Sequence, residues 1–287
     1  MTVKKTQMTE FYNLGGHMEE SKKLDLRKSR KVNMDNRLII ARYSRELSLL
    51  GQKLIRIAIA SIDSVEDRDF ILFETTTKDL RRFLGIPMDN IYRDIKNAAP
   101  RILETKIAIQ EIGTKEGDYE YWNLFSKFIY KDGHITIKFS PDVKNLLLQL
   151  KSQFTSIKLE NLLFLNHKYS IRVYELVCLK LHGSKVYADK HKEIEISVAE
   201  LRRVTGTEDT YRQINHLLKR VIEPAVEDIE TYAALHLDIQ TGKRYGREII
   251  SYRIDVWSVI GWRNRNTEQL PGQMSVEDIG NPVYVTD

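Results

Sequence analysis

Asp79-Leu80-Arg81-Arg82-Phe83-Leu84-Gly85 returns further along the chain as Glu200-Leu201-Arg202-Arg203-Val204-Thr205-Gly206, and the flanks of both copies run through the same order of elements. The repetition reads as an internal duplication. Each copy starts from an extended apolar stretch, Phe70-Ile71-Leu72-Phe73-Glu74 in the first and Glu193-Ile194-Glu195-Ile196 in the second, with strand-like alternation clearest in the second. Each stretch then meets a helix start. Thr76-Thr77-Lys78-Asp79 and Ser197-Val198-Ala199-Glu200 place a hydroxyl at the N-cap and a carboxylate three residues on, a pairing that satisfies orphaned amides of a first turn. Both short helices end at a glycine, Gly85 or Gly206, which tolerates the left-handed backbone of a tight turn.

An amphipathic helix is expected beyond each turn. In the second copy Ile214, Leu217, Leu218, Val221, Ile222, Ala225, Val226 and Ile229 recur at helical spacing, and in the first Ile91, Ile95, Ala98, Ala99 and Ile102 form the stripe. Pro100 and Pro224 fall late in these helices and are expected to kink or restart them, because proline lacks an N–H and clashes with the preceding turn. Two strand-like segments follow in each half, residues 106–112 and 119–130 in the first, 235–241 and 249–256 in the second, each pair read as a hairpin. Strand, capped helix, tight turn, amphipathic helix and hairpin describe a winged helix, so the fold class is α+β with two tandem winged-helix domains related by duplication. Leu- and Ile-rich helices around residues 47–62 and 169–181 supply the remaining core, and Ser140-Pro141 opens a further helix to residue 150 with proline at N1. The expected division is a basic N-terminal arm over 1–34, a first domain over 35–150, a second over 151–258 and a tail over 259–287.

With 287 residues, 42% hydrophobic and 30% charged, the chain is long enough for two cores. Lys and Arg number 45 against 40 acidic residues, a net +5 that attracts a polyanion but proves little until the charges are located. Cys178 is the sole cysteine, so an internal disulfide is excluded and a cytoplasmic protein is the simple reading. Neither a membrane span nor a signal-peptide core is visible, so the expectation is a soluble, unprocessed chain with no membrane partner.

The charges concentrate in the second copy. Opposite its apolar stripe lie Arg212, His216 and Lys219, with Gln213, Asn215 and Arg220 on the shoulders and Tyr211 at the start, and no acidic residue interrupts 211–222. Arg makes bidentate bonds to guanine and Gln or Asn to adenine, whereas Lys and Tyr commonly hold phosphates. A solvated helix face is the bland alternative for this element by itself. The hairpin tip Thr241-Gly242-Lys243-Arg244-Tyr245-Gly246-Arg247 adds Lys243, Arg244 and Arg247 around an aromatic, the composition of a wing that grips phosphates or enters a minor groove. The first copy is less basic: Arg93, Lys96 and Asn97 share their helix with Asp89 and Asp94, and the loop over 113–118 is net acidic. It is expected to add auxiliary backbone contacts from Lys78, Arg81 and Arg82; a solvated helix face accounts equally well for Arg81 and Arg82, and shared ancestry alone for their pairing with Arg202 and Arg203. The basic stretch over 22–31 reads either as an arm adding nonspecific affinity or as a solubility tail.

No phosphate cradle of the GxxxxGK[ST] kind occurs, which argues against an ATP-driven motor. None of the seven histidines has another two positions away, or an arginine three positions on, so neither a metal-dependent nickase nor a tyrosine recombinase is indicated. Asp67-Arg68-Asp69 fits an exposed turn better than a metal motif, and His134, His167 and His236 read as structural or solvated. No enzyme, cofactor or metal is expected.

Phe154-Thr155, Leu159-Glu160-Asn161-Leu162 and Lys168-Tyr169-Ser170-Ile171-Arg172-Val173-Tyr174-Glu175-Leu176 resemble the centre of iteron-type plasmid replication initiator (Rep) proteins. Tyr211-Arg212 leading to Lys219-Arg220-Val221-Ile222-Glu223-Pro224-Ala225, and the opening Asn36-Arg37-Leu38-Ile39 before Leu47-Ser48, resemble the same family, over roughly residues 35–256. The resemblance implies a bacterial, plasmid-encoded protein that binds direct repeats at an origin as a monomer, helps open A/T-rich DNA and recruits the host initiator protein and the replicative helicase. It also implies a dimer held mainly through the first domain that represses its own gene at an operator, and it makes the helix over 211–222 the principal major-groove reader. Two winged helices would then span about two helical turns of DNA. A transcriptional repressor without an origin role is the alternative, and a protein–protein scaffold the third reading.

Overall fold

The computed structural model describes residues 8–12, 18–23, 30–70, 72–84, 88–109, 119–181 and 191–259. In chain order the elements are β1 (Met8–Tyr12), β2 (Met18–Lys23), β3 (Lys31–Asp35), α1 (Asn36–Ile40), β4 (Arg42–Tyr43), α2 (Leu49–Ala60), β5 (Leu72–Thr76), α3 (Thr77–Leu84), α4 (Met88–Glu104), β6 (Lys106–Ile109), β7 (Glu120–Asn123), β8 (Phe125–Lys131) and β9 (His134–Phe139). A 3-10 turn (Pro141–Val143) leads to α5 (Lys144–Leu147), β10 (Phe154–Lys158), α6 (Leu159–Phe164), α7 (Ser170–Leu181), β11 (Lys192–Ser197), α8 (Val198–Thr205) and α9 (Ile214–Leu217). A π-helical turn (Leu218–Ile222), α10 (Glu223–Tyr232), β12 (Leu235–Thr241), β13 (Arg244–Tyr245), β14 (Glu248–Ile249) and β15 (Ser251–Ser258) follow. Two compact units result, residues 1–154 with 158–163, and residues 155–157 with 164–287.

In the first unit α2 is buried along nearly its whole length, with Leu54, Ile55, Ile57 and Ala58 at most 1% exposed, and Ile91, Ile95, Ala98 and Ile102 of α4 complete the core. Thr76 caps α3: its Oγ1 accepts from the Asp79 amide at 3.0 Å and donates to the Asp79 carboxylate at 2.8 Å, as the residue types require. Helix α4 passes through Pro100 without a break, so the expected restart does not occur there. Gly85 lies outside the described residues.

The hairpins of this unit differ from the expectation. Residues 119–130 were expected as one strand, yet the chain splits at the buried Leu124: β7 pairs with β6, while β8 turns away to pair with β9, which pairs in turn with β5. The cause is a second hairpin with Asp132-Gly133 at its tip, both at positive φ (50° and 75°), the conformation a two-residue type I′ turn demands. The five-stranded sheet runs β1-β2-β5-β9-β8, with β2 parallel to β5. Lys22 and Lys23, read as arm or tail, thus lie in a strand paired to the first unit's sheet, and Val32 and Met34 of β3 are buried. Residues 24–29 between them lie outside the described region. The helix expected to residue 150 is shorter, capped by Ser140 with Pro141 behind it and finished at Leu147.

The second unit is the simpler winged helix: a sheet in the order β11-β15-β12 beside α7, α8 and the α9–α10 helix. Helix α7 is its axis, with Ile171, Tyr174, Leu176, Val177 and Cys178 at most 1% exposed. Burial pushes the Cys178 thiol up to about 12, so it packs as a small apolar group and is not a nucleophile near neutrality. Within the same helix Arg172 meets Glu175 at 2.8 Å, and its Nε donates to the Val204 carbonyl at 3.1 Å, tying α7 to the end of α8. Ser197 and Glu200 form the complete reciprocal capping box at the start of α8, and Gly206 ends that helix at φ 67°.

The long helix carries a wide turn at its centre. Leu217, Val221, Ala225 and Ile229 are each fully buried and spaced four apart throughout. On an ideal α-helix of about 3.6 residues per turn, that spacing advances about 40° at each step, and the four would spiral off one face. The π-helical turn over Leu218–Ile222, closed by the Glu223 amide on the Leu218 carbonyl, takes up part of this drift. Pro224, with no amide to return to an earlier carbonyl, sits in the first turn of α10, so here the expected restart is found.

Candidate nucleic-acid interface

The exposed edge of the second unit's helix is built by its own core stripe. Because Leu217, Val221 and Ile222 turn inward, Asn215, His216, Lys219 and Arg220 are left outward and exposed. Arg212 and Gln213 are exposed as well, but they precede the helix: Gln213 is its N-cap residue and α9 begins at Ile214. The expected reading helix over 211–222 therefore starts three residues late, and its first members stand on the turn that delivers the chain into the helix.

That turn is held from within. The Arg202 guanidinium donates to four carbonyls, those of Thr207 (2.9 Å), Thr210 (2.8 Å), Tyr211 (2.9 Å) and Arg212 (3.2 Å). Thr207 is buried, its Oγ1 2.9 Å from the Thr205 hydroxyl, which also donates to the Leu201 carbonyl. Tyr211 is the other anchor. Its backbone is left-handed, φ 49°, at a cost of about 1 kcal/mol for a non-glycine residue. Its half-buried side chain shares a hydrogen bond with the Tyr169 hydroxyl at the head of α7, under the Lys168 ammonium 4.5 Å from the Tyr169 ring. Burial first, and then Tyr211, raise the Tyr169 phenol above its ordinary value. Tyr211, read as a phosphate-facing residue, is thus engaged inside the unit, and Arg202, singled out in the sequence only through its pairing with the first copy, organises the turn.

The wing closes β12 onto β15. A Cβ at Gly242 would stand 2.6 Å from Ser251 Oγ and 3.1 Å from a backbone oxygen, so the entry to the wing admits glycine alone. Beyond it Arg244, Arg247 and an 81% exposed Tyr245 project at the tip across the short β13–β14 ladder. Lys243 is exposed but occupied: its ammonium is 2.9 Å from Glu195 Oε2 on β11, while Ser251 Oγ donates to the other oxygen of that carboxylate. Ser251 first and Lys243 second hold the Glu195 carboxyl below its usual value. Arg212, Lys219, Arg220, Arg244 and Arg247 have no acidic partner among the described residues.

The matching face of the first unit is exposed too, with Lys78, Arg81 and Arg82 on α3 and Arg93, Lys96 and Asn97 on α4. Its cations are more committed: Arg93 bonds Asn90 Oδ1 at 3.0 Å and Asp94 Oδ1 at 3.3 Å. The acidic loop read over 113–118 lies outside the described residues. Asp67 caps a turn through the Asp63 amide, and Asp69 pairs with Lys144 at 2.8 Å, so this carboxylate pair is used structurally. His236 meets Glu230 at 2.8 Å, and burial lowers the pKa of His167. No helix among the described residues is long and apolar enough to cross a membrane.

Two winged helices, the second presenting an uninterrupted cationic and amide-bearing edge beside a basic wing, define a nucleic-acid-binding class of protein. Residues 31–178 match the family described as Initiator Replication protein, WH1, and residues 197–256 the companion described as Initiator Rep protein, WH2. The chain belongs to this initiator replication protein family. It is 27% identical over 206 residues to a replication initiation protein from Escherichia coli, the match covering 70% of this chain and 62% of the relative's length. Among solved structures it resembles the Pi initiator protein crystallised with iteron DNA, at a TM-score of 0.65 and 19% identity, over 80% of this chain and 97% of that one. That likeness bears out the tandem winged-helix fold.

Proposed function

We propose that this protein binds duplex DNA sequence-specifically at direct repeats of a plasmid origin and initiates replication there. The observation that carries the proposal is the second unit's exposed edge, where Arg212, Gln213, Asn215, His216, Lys219 and Arg220 follow one another with no acidic side chain between them, beside free arginines on the wing. Arg and the amides suit base edges, and the remaining cations suit phosphates. Family membership and the iteron DNA bound by the Pi initiator supply the kind of site. An origin role brings further partners: a second copy of this chain through the first unit, the host initiator protein and the replicative helicase, all in the bacterial cytoplasm. Repression of its own gene at an operator belongs to the same proposal.

Selection of duplexes from a random library by the purified protein tests it. A recovered site of about two helical turns, repeated in the source plasmid and sufficient for autonomous replication, is the expected outcome. Recovery of no preferred sequence would overturn it. Arg212→Ala should cost about 1 to 3 kcal/mol on the recovered site and little on scrambled DNA, and equal losses on both would remove Arg212 as a base reader.

A further inference from the structure

We infer that Arg202, whose guanidinium is taken up by backbone carbonyls of the turn, is a positioning residue that sets sequence discrimination by fixing where Arg212 and Gln213 stand. The inference rests on the DNA-binding proposal and deepens it. Eight residues, 206–213, separate α8 from α9. A turn of eight residues ending in exposed side chains has many conformations, and each would aim Arg212 differently.

Three separate restraints remove that freedom. The Arg202 guanidinium gathers the Thr207, Thr210, Tyr211 and Arg212 carbonyls, which are otherwise acceptors looking for donors. The planar fork is suited to this: its two terminal nitrogens each serve two carbonyls, which one lysine ammonium cannot span. Thr207 is pinned to Thr205, and Tyr211 is tied to Tyr169 at the head of α7. The left-handed backbone at Tyr211 persists because these bonds over-determine it. Arg202 itself begins from α8, whose end is anchored by Arg172 on the Val204 carbonyl. The last carbonyl it holds belongs to Arg212, so loss of the fork frees the peptide that carries the proposed base-reading side chain.

The test compares wild type, Arg202→Lys and Arg202→Ala by anisotropy on two duplexes, the one selected by the wild-type protein and a scrambled duplex of equal composition, with amide hydrogen exchange of residues 207–216, α7 and β15 measured without DNA. Both variants should lose about tenfold or more in affinity for the selected duplex while changing affinity for the scrambled one by about twofold or less. Exchange should quicken across 207–213 while α7 and β15 keep their protection, which separates a loosened turn from an unfolded unit. Arg202→Lys keeps the charge and the fold if the alanine variant does not. Equal losses on both duplexes would show Arg202 to be a phosphate contact or a general fold residue, and unchanged discrimination would show the turn to be set without it; either overturns the inference. A wild-type protein with no preference between duplexes overturns the DNA-binding proposal and this inference together, and is recognised in the wild type alone.

Discussion

Replacing Arg247 by alanine should flatten the salt dependence of DNA binding, whereas replacing Lys243 should not, and one ion pair makes the difference. Arg247 projects from the wing tip with no acidic partner among the described residues, while Lys243 one strand away lies against Glu195 at 2.9 Å. Each phosphate neutralised by a cation releases condensed counterions, so log K falls with log salt by about 0.9 per contact. With Arg212 given to a base, Lys219, Arg220, Arg244 and Arg247 would together give a slope of about −3.6 from the second unit. Losing Arg247 should reduce that by about 0.9, equivalent to about eightfold less sensitivity for each tenfold change in salt. Lys243→Ala instead removes a cation already paired with Glu195, so the slope changes by well under about 0.9 and binding weakens by a similar, small factor across the salt range. Glu195→Gln should do the reverse, freeing Lys243 and steepening the slope by about 0.9. Anisotropy titrations from about 0.05 to 0.5 M KCl resolve these differences. Equal slope losses for Lys243→Ala and Arg247→Ala would refute the reasoning, because Lys243 would then have left Glu195 for a phosphate.

Three further outcomes concern the scaffold beneath the edge. Ser197→Ala removes the hydroxyl of the capping box and should lower the stability of α8 by about 1 kcal/mol, read from exchange of its amides; a change near zero would mean the box is idle. For Glu200, burial pushes the carboxyl up, but Lys180 at 2.6 Å and the Ser197 hydrogen bonds outweigh it and the net value lies below the ordinary 4.5. A depressed carboxyl contributes stability that is complete above its unfolded pKa and is lost as pH falls through the folded one, so α8 protection should decline in acid in the wild type and not in Glu200→Gln. Glu175→Ala takes a fully buried carboxylate from Arg172 and should destabilise the second unit by about 3 kcal/mol in urea unfolding; a loss under about 1 kcal/mol would show the pair to be dispensable.

Local chemistry made the helix starts legible. Thr76 with Asp79 and Ser197 with Glu200 cap where hydroxyl and carboxylate sit three apart, because the bonds they make are confined to a single turn. The stripe from Ile214 to Ile229 was equally readable, since periodicity reports a buried face. Its wide centre was present as the strict four-residue spacing of Leu217, Val221, Ala225 and Ile229, a detail that a search for helical period passes over. The split at Leu124 was signalled by Asp132-Gly133, a hairpin signature hidden by the expectation of one long strand. What no local pattern revealed was the inward turn of Arg202 and Tyr211. Both carry side chains that ordinarily face water or phosphate, and only the folded positions of residues 207–212 and of Tyr169 supply them with partners.

The wide turn over Leu218–Ile222 amounts to one residue more than a regular helix of the same length would need. Shortening the chain by a residue there would remove the extra residue together with the wide turn: Leu217 and Ile229 would then be eleven regular residues apart, about 20° past three full turns, so Asn215 and His216 would keep nearly the same aim. The wide turn therefore acts as slack in the helix, a place where one residue can be lost while the outward side chains hold their direction and shift along the axis by at most about 1.5 Å. A further loss or gain between Leu217 and Pro224 has no such slack to draw on and would turn the exposed edge by about 100° against the packed half of the helix.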